Sequence, residues 1–136
     1  MRDAQGRPYG AVVFGARRAV GTTIDYLTEL PFPVTAVDYF GDLDIEGLET
    51  AAACVDAAKE CSVDAGLHGP LYRLPTSQRD TPAKAAAGHP RVARVLPLLE
   101  EDLRDGTEHL LTTARRIAQE RCGHELLAAT PGWWRP

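Results

Sequence analysis

Two aspartates one residue apart, Asp42 and Asp44, are the residues here whose type and spacing could do chemistry most directly. They follow a β-branched and aromatic run over residues 34–40 and are flanked by Gly41 and Gly47. That run reads as a buried strand ending at Gly41, and in an open parallel sheet ligands bind at the carboxyl ends of strands. Two like charges in one turn repel each other, by roughly 4 kcal/mol at ~4 Å and an effective dielectric of about 20. A hard divalent cation, Mg²⁺ or Mn²⁺, relieves that repulsion by taking carboxylate oxygens while keeping positions open for water and phosphate. The two glycines allow a tight turn and a close backbone approach, and the first turn of a following helix adds N–H groups and a positive dipole end. The competing account is that Asp44 simply N-caps a helix starting at Ile45 while Asp42 is exposed and solvated. D-x-D spacing by itself leaves both open.

The elements that must position this turn follow from hydrophobic period. The apolar run over residues 11–14, bounded by Gly10 and Gly15, reads as a buried strand. Val20, Ile24, Leu27 and Leu30 recur at helical spacing and predict a helix over residues 17–30, stopped by Pro31-Phe32-Pro33. With the strand at 34–40 this makes a βαβ unit with a parallel pair. Ile45, Leu48, Ala52, Val55 and Ala58 trace one face of a helix over residues 45–60. A third short strand is expected over residues 71–74, entered through Gly69-Pro70, and residues 75–90, with three prolines, read as a long loop. Helices are expected over residues 91–103 and 107–127, separated by Gly106, with Gly123 a weak point in the second. The fold class is therefore α/β: a small parallel sheet flanked by helices in residues 1–75, followed in residues 76–136 by a loop and a helical extension of the same domain.

Bulk properties narrow the function. A chain of 136 residues, 44% hydrophobic and 25% charged, suits one globular domain. A net charge of -4 does not recruit nucleic acid, so any phosphate contact must come from a local patch. Arg17 and Arg18, just after Gly15 at a strand-to-helix junction, are candidates for one, as are Arg73 and Arg79 beside the expected third strand. A solvated helix start is the competing account for the first pair, and no P-loop pattern is present. Asp38 reads either as a satisfied structural carboxylate or as a third metal contact. Cys54, Cys61 and Cys122 make no disulfide framework and point to a reducing, cytoplasmic setting. With His68 the first two lack the close pair that structural zinc needs, so buried free thiols are expected. His68, His89, His109 and His124 are scattered, with no Ser or Cys nucleophile arranged beside a base. Trp133 and Trp134 suit docking back onto the domain or anchoring an interface. No run approaches a membrane span, and residues 1–10 are polar rather than a signal peptide.

The stretch Tyr39-Phe40-Gly41-Asp42-Leu43-Asp44-Ile45-Glu46-Gly47 resembles the aromatic-G-D-x-D-x-x-G signature of the Toprim domain in Wadjet JetD proteins, which is similar to the corresponding turn in topoisomerase VI A subunits. The strand at 11–14 with Gly15 is similar to that family's apolar strand ending in glycine. Arg116-Ile117-Ala118-Gln119-Glu120-Arg121 resembles its R-x-E-Q-E-R helix. The resemblance covers most of this chain but only the C-terminal part of a full JetD protein. It implies a Toprim-like, Rossmann-like fold and a Mg²⁺- or Mn²⁺-dependent DNA endonuclease of anti-plasmid defence, in which Asp42 and Asp44 hold the metal. Glu120 would be a further ligand or support one; a surface ion pair with Arg116, four residues back on a helix, is the competing account. The implied partners are DNA, an SMC-like JetABC complex and a second copy of the chain, with no membrane.

Toprim domains also carry a glutamate after a strand preceding the one at 11–14, whereas residues 1–10 contain only Asp3 as an acidic residue. Ala118 stands where the helix motif has its first glutamate, and no winged-helix region is present. A fragment truncated on its N-terminal side is the expectation, and two alternatives accompany the nuclease. One is a catalytically incomplete module of the same fold that binds DNA or partner subunits. The other is a haloacid-dehalogenase-like phosphatase, which also places D-x-D after a strand but for which Lys59 and Lys84 are poorly placed.

Overall fold

The computed structural model describes residue 24 and residues 26–76 and 78–133. The expected strand at 11–14, most of the expected helix at 17–30, and with them Gly15, Arg17 and Arg18 lie outside those residues, as does Trp134. The first element described is a 3-10 turn, Tyr26–Glu29.

The chain is a mixed α/β protein with a two-stranded parallel sheet, a small antiparallel pair and five α-helices among the described residues. Strand β1, Ala36–Tyr39, forms where β-branched and aromatic residues cluster. Helix α1, Ile45–Glu60, follows after the aspartate turn. Its buried positions Leu48, Ala51, Cys54, Val55 and Ala58 are three or four apart, which puts one continuous stripe against the core. Past the helix end Ser62 takes a left-handed φ of 57°, and the Val63 amide donates back to the Ala58 carbonyl at 2.9 Å. This tight reversal sends the chain into β2, Asp64–Leu67, which pairs in parallel with β1 from Ala36↔Asp64 to Tyr39↔Leu67.

The third strand therefore lies at Asp64–Leu67 and not at 71–74, which belongs to helix α2, Gly69–Thr76. Gly69-Pro70 opens this helix instead of turning into a strand. Proline suits a first helical turn because the amide it lacks would have no intrahelical partner there. His68 supplies the cap: its Nδ1 accepts the Leu71 amide at 3.1 Å, the i-to-i+3 bond that a capping side chain makes.

The long loop at 75–90 contains β3, Thr81–Pro82. The expected helix at 91–103 is two helices, α3, His89–Val95, and α4, Glu101–Thr112, joined through a 3-10 turn, Leu96–Leu98. Pro97 sits in that turn and accounts for the break. Gly106, expected to separate helices, lies inside α4. The expected helix at 107–127 also ends early. Thr112 and Thr113 turn their hydroxyls back onto the carbonyls of Glu108 and His109, and Ala114 adopts a left-handed φ of 55°. The chain then runs as β4, Arg115–Arg116, antiparallel to β3 with Thr81↔Arg116 and Pro82↔Arg115 in register. A 3-10 turn, Gln119–Arg121, and helix α5, His124–Ala129, complete it.

Two apolar clusters hold these elements together. The larger joins Leu43, Leu48 and Tyr72 to Val92, Leu111 and Ile117, so it draws on residues from both sides of position 75. The smaller packs Ile24 with Cys54, Ala58 and Val63 beneath α1. Each fully buried large aliphatic side chain in them contributes about 1.5–3 kcal/mol. Among the described residues no helix is long and apolar enough to cross a membrane.

Candidate functional site: the aspartate turn

Asp42, Leu43 and Asp44 run extended between β1 and α1. Asp44 has φ -144° and ψ 173°, and Leu43 pairs with Ile117 through both of its backbone groups, at 2.9 and 3.1 Å. In an extended segment side chains alternate. Leu43 goes into the core at 2% exposure, and the carboxylates on either side of it meet one common partner, Arg116. The intervening apolar residue of the D-x-D is thus what anchors the turn.

Each carboxylate oxygen has a protein contact. Asp42 accepts from the Gln119 amide through Oδ1 at 2.9 Å and from Arg116 Nη2 through Oδ2 at 2.8 Å. Asp44 accepts from the Gly47 amide through Oδ1 at 2.7 Å, which caps α1, and its Oδ2 lies 3.5 Å from Arg116 Nε. The side chains of Asp42 and Asp44 are 18% and 12% exposed, and that of Arg116 is 30% exposed. Of the account that needs no metal, one half holds and the other does not. Asp44 does cap the helix, but Asp42 is not a solvated bystander, and the repulsion between the two is relieved here by a guanidinium.

The glycines hold the turn by proximity. A Cβ on Gly47 would lie 2.2 Å from the Asp42 carbonyl oxygen and 3.0 Å from its carbon, so the start of α1 rests directly on the Asp42 backbone. The Gly41 amide donates to the Tyr72 hydroxyl at 3.1 Å. Tyr72 is fully buried and stands edge-on to Phe40 with centroids 5.2 Å apart. Burial pushes its hydroxyl far above the ordinary tyrosine range, with the charges of Tyr39, Asp42 and Asp44 adding to the effect. It therefore stays a neutral, fixed acceptor for Gly41. Neither Tyr72 nor Arg116 stands out as a partner of the turn in the sequence, because residues 71–74 read as a strand and Arg116 as a helix residue facing Glu120.

Glu120 lies in the 3-10 turn next to Gln119, close along the chain to the group that binds Asp42, and is exposed. No helix places it one turn from Arg116, which faces the two aspartates instead. Arg73 is on α2, where its guanidinium is engaged by Glu100 and Asp102 rather than by the aspartate turn. Arg79 is exposed in the following loop. Asp38 occupies an exposed position of β1, and its charge partly offsets the burial that pushes His68 below the usual histidine range. Among the described residues no group of three or more His, Cys, Asp or Glu side chains is placed to hold an ion, Cys54, Cys61 and His68 included.

As donors, the two carboxylates suit a hard divalent cation: one oxygen of each faces the same guanidinium, and a carboxylate oxygen can accept more than one partner. Arg116 is the side chain that must yield for an ion to take up both. Compared with known proteins, the chain matches no family model, no curated protein and no solved structure.

Proposed function

We propose that this chain is a Toprim-like, divalent-metal-dependent DNA endonuclease module of the Wadjet JetD kind, with Asp42 and Asp44 as its metal ligands. The observation that carries the reading is that both carboxylates face one shared cationic group, the Arg116 guanidinium, just past the carboxyl end of a parallel strand, where an α/β sheet binds ligands. A divalent ion bound there supplies Lewis-acid stabilisation of charge on a phosphate and an activated water. The protein's own contribution is positional. Tyr72 and the Leu43–Ile117 pairing fix the turn, Gly47 lets the helix start close on it, and Glu120 stands next to the Gln119 contact as the nearest additional carboxylate along that segment. The partners that go with this reading are DNA and an SMC-like motor complex.

A second reading, a catalytically incomplete module of the same fold that docks to DNA or partner subunits, is favoured by Arg116. That side chain already bridges the pair and offsets one of its two charges, so the turn has a cation of its own without an ion. Incubating the protein with supercoiled plasmid in Mg²⁺ or Mn²⁺ separates the two. The nuclease reading expects metal-dependent nicking that Asp42→Asn and Asp44→Asn abolish. Asparagine caps a helix about as well as aspartate, so the Asp44→Asn variant keeps its fold. Plasmid left intact by the wild type in both metals, or cut equally by the variants, overturns it.

A further inference from the structure

The Asp42/Asp44 pair holds a cation supplied by the chain itself, 74 positions away in sequence from Asp42. We infer that Arg116 is a built-in counter-ion that occupies the cation position of this pair, so that a divalent cation binds by displacing the Arg116 side chain. The inference rests on the metal reading of the site and adds its regulation: an autoinhibitory contact that sets how strongly an ion can bind.

Three observations carry it. First, one guanidinium reaches both carboxylates, 2.8 Å from Asp42 and 3.5 Å from Asp44, and thereby does the electrostatic work a cation would do. Second, its two contacts are unequal. The Asp42 contact is a charge-assisted hydrogen bond of ordinary length, whereas 3.5 Å to Asp44 is too long for one. The hold on Asp44 is the weaker half of the clamp and the natural point of entry. Third, the backbone beneath Arg116 is fixed while its side chain is not enclosed. The Thr81↔Arg116 register and the reciprocal Leu43–Ile117 bonds pin the main chain on both sides, and the side chain keeps 30% exposure. Displacement is therefore a swing of one long side chain toward solvent, with the Gln119 amide left in place on Asp42.

Because the two cations compete for the same oxygens, their linkage is reciprocal: whatever factor Arg116 subtracts from ion affinity, the ion subtracts from the Arg116 contact. Uncovering two carboxylates raises the local negative charge by one unit within a few ångströms. At the effective dielectric of a half-buried site this corresponds to about tenfold or more in affinity for a divalent ion.

The test is Mn²⁺ binding, followed by the loss of the free-ion electron paramagnetic resonance signal, in the wild-type protein, Arg116→Gln and Arg116→Lys. Arg116→Gln is expected to bind Mn²⁺ at least about tenfold more tightly than the wild type. Arg116→Lys, which keeps the charge without the fork, is expected to fall between them. Equal or weaker binding by Arg116→Gln overturns the inference while leaving the metal site standing. Saturable binding absent from both proteins overturns the metal site and the inference together. A measurement on the wild type covers the case in which Arg116→Gln does not fold. On titration with Mg²⁺ the Arg116 side-chain Nε–H resonance should move to the position of an exposed arginine, and an unmoved resonance while the Gly47 amide shifts refutes displacement.

Discussion

Replacing Gly47 with alanine tests whether the aspartate turn is held by contact or merely by sequence preference, because the two give opposite signs. In the first turn of α1, alanine should be the better helix former by up to about 1 kcal/mol. Yet its Cβ would stand 2.2 Å from the Asp42 carbonyl oxygen, where ordinary contact begins at 3.4 Å, and the obstacle is backbone that no rotamer change can clear. Overpacking of this kind costs about 1–3 kcal/mol. Moving Asp42 by roughly 1 Å also takes its bonds to Gln119 and Arg116, at 2.9 and 2.8 Å, past hydrogen-bonding range. The expected net effect is a loss of about 2 kcal/mol. Gly106 is the control: it is exposed inside α4 with no atom within 4 Å of an added Cβ, so Gly106→Ala should gain about 0.5–1 kcal/mol. Urea unfolding followed by far-ultraviolet circular dichroism measures both. A Gly47→Ala protein as stable as the wild type, or more stable, refutes the packing of α1 against Asp42.

Tyr72→Phe keeps the core volume but leaves the buried Gly41 amide without its acceptor, so it should cost about 1–3 kcal/mol in the same unfolding assay; a loss below about 0.5 kcal/mol shows that the hydroxyl does not hold the turn. His68 gives a pH signature. Burial holds its pKa below the ordinary histidine value, so between about pH 6.5 and that lower native value the unfolded chain takes a proton that the native chain refuses. Stability should fall as pH drops through this window and level off above about pH 7, and His68→Asn should flatten the slope; parallel slopes for the two proteins refute it.

The parts of the structure legible in the sequence are those set by local pattern. Residues 34–40 carry β-branched and aromatic side chains and contain β1, and the apolar period starting at Ile45 marks α1 through Glu60. Gly47 as a point of close approach is legible too, whereas residues 41–44, which read as a turn, run extended because Leu43 pairs with Ile117. What escaped depends on partners far along the chain. Asp-Ala-Gly-Leu has little strand propensity of its own and becomes β2 only because β1 offers it a parallel edge. Leu71 to Leu74 is apolar enough to read as a strand, but Pro70 in a first turn and the His68 cap make it helical. Periodicity carried the expected last helix through residues 113–121, where a left-handed Ala114 and the pairing with Thr81 and Leu43 instead lay the segment across the aspartate turn. Reading that segment as a helix put Arg116 opposite Glu120, and so concealed the residue that shapes the site most.

Calorimetric titration of Mn²⁺ into the wild-type chain and into a double Asp42→Asn, Asp44→Asn variant tests the central claim most directly, since asparagine preserves the helix cap while removing both charges. The account predicts saturable binding of a single ion by the wild type and none by the variant at the same site. No saturable heat in the wild type, or an undiminished affinity in the variant, would contradict it and leave Asp42 and Asp44 as the structural partners of Arg116 and Gly47 alone.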